Sequence, residues 1–586
     1  MRGERMENLA GIAYPMLHPS EIPTDGILAF DFENDEETLE PILLSFAWRE
    51  AGEIKTVVYD CQRTDARLKG AIFDLFVKVR RIVAHNIKHE MTILHYWGFD
   101  TTLIEDKLED TMVIQHCVDT EAEKDLKTLA RKYLGMDMIE YKVASKMGRT
   151  AFIEYNRKDS IACLRLFEHM QDWVRQWDVS VVYRMELAVI PWLLDAYVHG
   201  VHIDLQMLDE LNKELEQTLM GYETTLVETA GGMINPNSTK QLGKLFYEDW
   251  KIPINPTFVT KTGQPGTSTE AIEWMIEYGE LKEEHSNFML SLLDYKKQTK
   301  LQSSFVGPNF TKRIHADGKL RTDLKSIMTK TGRESSSDPN LQNIPSKGEG
   351  KIVRKAFVPT PGNDLIVSDY SQIEYRLFAH FSRSETLIQA YLAGKDFHQA
   401  IADLLKVPRP LAKTINFALF YGAGLPKFMR LVNRDLAKNK LPILTQSVAS
   451  KHHSSYLENP DRQALLQGCL RFAKANNYIR TISGRIRRFD GYPNLNESTL
   501  GRYALSTTIQ GSAADLMKLA KIRLRKVLPK EVKAVLSVHD ELLFDCPKEL
   551  TQKVLPVIQY EMENVHKFAV PLVAEPGVAS SWYDAK

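Results

Sequence analysis

No apolar run in this chain reaches the ~20 residues that a membrane-spanning helix needs. AVIPWLLDAYV, for instance, is interrupted by Asp195. The N-terminal stretch MRGERMENLAGIAYP lacks the apolar centre of a secretion signal, and the first 21 residues read as a loose tail. Cysteine is scarce. Cys61, Cys117, Cys163, Cys469 and Cys546 are scattered, with no C-x-x-C. That excludes a disulfide framework or a zinc ribbon and predicts small buried apolar side chains in a reducing compartment. Internal repeats and low-complexity segments are absent as well. The expectation is a cytoplasmic protein, neither secreted nor membrane-bound, long enough for about three to four domain-sized units.

Net charge is also nearly absent, at −1, which at first argues against a nucleic-acid partner. Its distribution argues the other way. Residues 296–357 carry 14 Lys/Arg against 5 Asp/Glu, and residues 471–488 carry six Lys/Arg and no acid. Acid concentrates elsewhere, notably over 31–40. Solvated helix faces would need no such segregation, whereas a duplex held along its phosphates above acidic centres would.

What the chain does contain is a set of carboxylates at the ends of apolar strands. The segment 364 DLIVSDYSQIEYRLFAHFS delivers Asp369, and 534 AVLSVHDELLFDC delivers Asp540 and Glu541. Carboxylates far apart in sequence, each on a rigid strand, suit a two-metal phosphoryl-transfer site, in which the ions sit roughly 3.5–4 Å apart. Hard cations such as Mg²⁺ take such oxygen ligands. Between these strands, 409 RPLAKTINFALFYGAG places Arg409, Lys413, Phe417 and Tyr421 at every fourth position. On a helix that spacing gives one slowly drifting stripe. An ordinary amphipathic helix would separate its cations from its aromatics; phosphate-binding cations beside base-stacking rings explain their shared face better. Ser371 and Glu374 form S-x-x-E, the pattern of a capping box.

In this order, the three segments resemble motifs A, B and C of the family-A DNA polymerases: DYSQIE, R-x3-K-x3-F-x3-YG and VHDE. Further matches are 331 TGRESSSDPNLQNIP, 396 DFHQA and 509 IQGSAAD. The resemblance runs from about residue 190 to the C-terminus. It implies that Asp369 and Asp540, with Tyr370, bind two Mg²⁺ ions (Mn²⁺ substituting) and that Glu541 supports them. It implies that Arg409, Lys413, His398 and Gln372 meet the incoming dNTP. Phe417 and Tyr421 pack on its sugar and base, and Glu374 fills the space of a ribose 2′-hydroxyl. Arg333, Arg502, Gln510, His539, Asn340 and Gln342 are the expected contacts to primer–template DNA. Ser506 departs from the asparagine frequent in the family, which puts one template-side hydrogen bond in doubt.

The N-terminal third holds a second constellation. Asp31 and Glu33 stand two apart after an apolar run, and so on one face of a strand. Asn86 and Glu90, and Tyr155 and Asp159, are each four apart, the spacing of one side of a helix. Taken singly, each acid reads as a solvated loop residue. Together they resemble the three motifs of the DEDD exonucleases, in the subtype with a tyrosine, and 125 DLKTLARKYLG is similar to the matching stretch of the editing domain. The resemblance implies a second Mg²⁺ pair on Asp31, Glu33, Glu90 and Asp159, with Tyr155 orienting the attacking water and single-stranded DNA 3′ ends as substrate. Glu90 departs from the family's aspartate.

The expected fold is therefore a mixed α/β and α+β multidomain protein. An RNase H-like 3′–5′ exonuclease domain (22–178) precedes a right-hand polymerase domain (179–586), with thumb over about 200–310, fingers over about 385–500 and palm for the remainder. Long helices are expected from 180 to 305, interrupted by a Pro/Gly/Thr-rich loop at 252–269. Exonuclease-like motifs starting at residue 31 leave no room for a preceding 5′-nuclease domain, and no long thumb insertion for a processivity factor is visible. A monomeric phage-type replicative enzyme, working with a helicase and a single-strand-binding protein, is the expectation. Two rivals are an exonuclease whose polymerase half only clamps nucleic acid, which predicts damaged motifs A and C, and a non-catalytic scaffold, which predicts loss of carboxylates from both sites.

Overall fold

The computed structural model describes residues 17–585 apart from Lys261, Asp396, Asn439, Lys440 and Pro493; the side chains of Leu404, Phe417 and Lys438 also lie outside the described set. The sequence-based placement of Phe417 against a nucleotide sugar therefore falls outside the described residues. Residues 1–16 of the expected tail do so too. Residues 17–21 are not loose: the Tyr59 hydroxyl donates to Leu17 O at 2.8 Å, and Pro19 is buried in a single 3₁₀ turn.

The N-terminal unit is built on a five-stranded sheet: β1 (Ile27–Asn34), β2 (Pro41–Glu50), β3 (Glu53–Asp60), β4 (Arg81–Ala84) and β5 (Leu108–Asp110). Their spatial order is β3-β2-β1-β4-β5. The β1–β2 and β2–β3 pairs are antiparallel, and β1–β4 and β4–β5 are parallel. β1 is central and nearly continuously buried, as a strand covered on both faces should be. The 22-residue helix Arg149–Met170 packs across β1 and β2.

The second sheet is four-stranded and antiparallel: Lys533–Val538, Glu541–Pro547, Asn363–Tyr370 and Ala574–Ala579, in that spatial order. The segment 534–546, expected as one strand, is in fact a hairpin. His539 takes a left-handed backbone (φ 57°), and the turn it starts presents Asp540 and Glu541 at the sheet's edge. Asp369 lies opposite Glu541 on one neighbour and Glu575 on the other.

Two long helices, Leu205–Ala230 and Glu283–Phe305, pack on each other. Asp204 caps the first through Met207 N at 3.0 Å, and Gly231 ends it in the left-handed conformation. Of the loop expected at 252–269, Pro256–Phe258 forms a 3₁₀ turn and Thr269 already opens the helix Thr269–Tyr278; the other described residues lie outside helices. A group of shorter helices follows the motif-A strand, including Phe397–Leu405, Arg409–Leu419, Leu425–Lys438 and Pro460–Asn476.

The helix Ser180–His199 joins the halves and is apolar on both sides. Tyr183 and Leu194 belong to the core under the first sheet, while Trp192 and Leu193 belong to the core of the C-terminal half. All five cysteines are free and buried, as their scatter predicted. Among the described residues, no helix is long and apolar enough to cross a membrane.

Two candidate active sites

A cleft of about 580 Å³ opens over the edge of the four-stranded sheet. Asp369 reaches it from the end of Asn363–Tyr370, and Asp540 from the hairpin turn. Backbone bonding holds the two together, with Tyr370 N donating to Asp540 O at 3.1 Å. The Tyr370 hydroxyl is buried and donates to Met562 O at 2.6 Å, which leaves its main-chain carbonyl as its possible metal ligand. Glu541 lines the same cleft but is buried. Its carboxylate accepts from Trp582 Nε1 at 3.0 Å and from Arg354 at 3.4 Å, all within the protein interior. Glu541 is thus held as the buried counter-charge of Arg354. Trp582, Arg354 and the cleft-lining Glu575 had no signal in the sequence, because their partners lie far along the chain.

The same cleft is lined by Arg409, Lys413, His398 and Tyr421. His398 is 4% exposed and its Nδ1 is 2.9 Å from Asn416 Nδ2. The helix bearing Arg409 and Lys413 stops at Leu419, earlier than the four-residue spacing implied. Gly422 (φ 78°) turns the chain, and Tyr421 lies in that turn, where its hydroxyl donates to Glu374. The expected capping box is also absent. Gln372, in the N-cap position, adopts a left-handed backbone with no side-chain cap. Glu374 is instead ion-paired with Arg333 through one oxygen and accepts from Tyr421 through the other. Gln372 lines the cleft, but its amide oxygen accepts from Phe397 N and the Tyr391 hydroxyl, both at 3.2 Å.

The expected DNA contacts divide. Arg333, His539 and Gln342 line the main cleft. Burial, then the Arg333 charge, lowers the His539 pKa, which favours the neutral ring. Gln342 is anchored to Ser537 O at 3.3 Å. Arg502 instead lines a neighbouring cleft with Gly422 and Arg462, and Asn340 caps a 3₁₀ turn through Gln342 N. Gln510 sits in a π-helical turn, Thr507–Gly511, and accepts from Ser506 at 3.3 Å; such turns frequently mark functional positions within helices.

The second site lies on β1. Oxygens of Asp31, Glu33 and Asp159 fall within 4.8 Å of one another. Asn156, wholly buried, fixes Asp31 by donating to its Oδ2 at 2.8 Å. Tyr155 and Asp159 share the helix Arg149–Met170, as their spacing predicted. Asn86 and Glu90 do not share one. Asn86 is the left-handed N-cap of Ile87–Tyr96, and only Glu90 is helical. That helix start is tied down by Asp110, which accepts from Asn86 N and Ile87 N at 3.2 and 2.7 Å. Glu90 Oε2 accepts from Phe32 N at 3.0 Å. Lys127 Nζ donates to the Tyr155 hydroxyl at 2.8 Å and lies 3.6 Å from Asp159. Burial is the largest cause of the raised pKa values here. It drives Asp31 and Glu90 well above the carboxylate range, Glu33 to about 8 and Asp159 to about 6. Four mutually repelling carboxylates, buried at Glu33, Glu90 and Asp159 and half-buried at Asp31, with Lys127 as the adjacent cation, form a donor set that fits hard divalent cations.

A carboxylate-bearing antiparallel palm sheet, faced by a helix presenting Arg and Lys, defines the right-hand polymerase class. A family model described as DNA polymerase family A matches residues 205–584, and the chain belongs to that family. It is 32% identical to DNA polymerase I of Caldicellulosiruptor bescii over 84% of this chain, and 29% identical to DNA polymerase I of Lactococcus lactis over 97%. The chain spans 57% and 64% of the length of those two relatives. The POL domain of Pol1 from M. smegmatis, solved in complex with DNA primer-template and dNTP, superposes with a TM-score of 0.83 at 25% identity over 97% of each chain.

Proposed function

We propose that this chain is a template-directed DNA polymerase that extends a primer 3′ end with dNTPs and carries a 3′–5′ proofreading exonuclease in its N-terminal unit. The observation that carries the first half is the convergence of Asp369 and Asp540 with Arg409, Lys413 and His398 on one cleft of a family-A fold. Asp369, Asp540 and the Tyr370 carbonyl would hold Mg²⁺, or Mn²⁺ in its place, which neutralises phosphate charge. Arg409 and Lys413 hold the triphosphate for in-line displacement by the primer hydroxyl, and their fixed charges offset what spreads over the phosphates. Glu374 stands where a ribose 2′-oxygen would fall. Template pairing supplies sequence, and the protein supplies geometry.

The exonuclease half is supported by the carboxylate cluster on β1, with Asn156 orienting Asp31 and Tyr155 alongside. A rival in which the polymerase half only clamps DNA has no support from motifs A and C, whose aspartates are both present and converge. Primer extension on a primed template with Mg²⁺ and dNTPs tests the proposal: stepwise, template-matched extension is expected. Degradation of single strands without extension would leave only the exonuclease, and neither activity would leave a binding protein.

A further inference from the structure

The residues on either side of Arg333 are gripped by two lysines of one helix. Ser512–Val527 carries Lys518 and Lys521 three positions apart, hence on one side, and both are 1% exposed. The Lys518 ammonium has three donors and places them on Gly332 O at 2.7 Å, Ser326 O at 2.8 Å and Glu186 Oε1 at 2.5 Å. Lys521 pairs with the Glu334 carboxylate and lies 4.7 Å over the Trp192 ring. The chain is thus held by the carbonyl immediately before Arg333 and by the side chain immediately after it.

The segment between has little freedom left. Thr329 Oγ1 donates to Arg333 O at 2.7 Å. Gly332 has φ 78°, and a Cβ there would run into the Arg485 guanidinium, which is itself buried between Glu186 and Asp515. A buried ionic cluster is an expensive way merely to hold a helix in a core, since well-packed apolar residues would serve at least as well. This one ends on the cleft that holds Asp369 and Asp540.

We propose that Lys518 and Lys521 are positioning residues for nucleotide addition: they fix residues 332–334 so that Arg333 holds the Glu374 carboxylate over the sugar of the incoming nucleotide. This rests on the reading of Glu374 as the group that excludes a 2′-hydroxyl. The test compares incorporation efficiencies for matched rNTP and dNTP pairs, together with primer–template affinity and melting temperature. The variants are Lys521→Met, Lys521→Arg, Lys518→Met and the double variant Lys521→Met/Glu334→Met, with Glu374→Ala alongside.

Lys521→Met and Lys518→Met are expected to raise the rNTP:dNTP efficiency ratio at least ~fivefold, with KM for dNTP rising more than kcat falls. Lys521→Arg, which keeps the ion pair, returns the ratio towards wild type. The double variant removes both charges and recovers melting temperature but keeps the altered ratio. A ratio that recovers along with melting temperature in the double variant, or one that stays within ~twofold of wild type in both single Met variants while Glu374→Ala shifts it, overturns the positioning role alone. A ratio unmoved by Glu374→Ala itself overturns the underlying reading and the inference with it.

Discussion

The main-chain N–H of Phe32 donates a 3.0 Å hydrogen bond to Oε2 of Glu90. Phe32 lies between Asp31 and Glu33 on β1, so this bond draws the fourth carboxylate of the cluster against the strand that carries the first two.

The N-terminal site is therefore expected to release nucleotides from single-stranded DNA 3′ ends in the presence of Mg²⁺. Glu90→Gln, which loses the charge, should slow release by about 10²-fold. Glu90→Asp, too short to keep the bond to Phe32, should slow it by up to about 10²-fold rather than improve it, since a displacement near 1 Å can cost on that order. Hydrolysis rates measured against Asp31→Ala as background decide this. A wild-type rate equal to that background would mean that the domain is purely structural.

Asp369→Asn and Asp540→Asn should abolish primer extension while leaving single-strand hydrolysis near wild type, because the two sites draw on separate carboxylates in separate units. Extension by either variant above about one hundredth of the wild-type rate would correspond to a loss under ~2.7 kcal/mol, too small for a metal ligand.

Glu374→Ala should raise ribonucleotide incorporation relative to dNTPs, and Tyr421→Phe should do so more weakly. Tyr421 supplies one of the two donors that orient Glu374, while Arg333 supplies the other. Paired rNTP and dNTP efficiencies read this directly; an unchanged ratio in Glu374→Ala would leave Glu374 as a structural partner of Arg333.

Stability should depend on pH and divalent cation together. Glu33 at about 8 and Asp159 at about 6, raised chiefly by burial, keep protons that the unfolded chain releases near pH 4 to 5. The folded state then binds more protons than the unfolded one, so metal-free stability falls as pH rises from about 4.5 through 8. A cation in the cluster takes over from those protons. Scanning calorimetry should show a larger rise in melting temperature with Mg²⁺ at pH 8 than at pH 6, reversed by chelator and diminished in Asp31→Asn. Equal rises at both pH values would contradict the cluster as a metal site.

Much of this was legible in the sequence because it rests on local periodicity. Asp31 and Glu33 on a strand, Tyr155 and Asp159 on a helix, and Asp369 at a strand end all follow from side-chain period alone. The misreadings occurred where backbone handedness overrode spacing. Left-handed Gln372 removed the capping box, left-handed Asn86 shortened a helix, and Gly422 put Tyr421 past a helix end. What the sequence concealed was contact across long separations. Asn156 reaches Asp31 over 125 residues, and Lys518 reaches Gly332 over 186. The sheet order β3-β2-β1-β4-β5, mixing parallel and antiparallel neighbours, likewise leaves no trace in short apolar runs.

The helix Ser180–His199 bears on how the molecule can be taken apart. Because Tyr183 and Leu194 seal one core and Trp192 and Leu193 the other, separating the chain near Gly200 would leave the helix with the N-terminal fragment, strip a wall from the C-terminal half and leave the Trp192 and Leu193 face bare on the other piece. A C-terminal piece meant to stand alone must begin ahead of Val179. Even then it would carry an apolar stripe in want of a cover, so aggregation, rather than lost chemistry, is the first failure to expect of such a dissection.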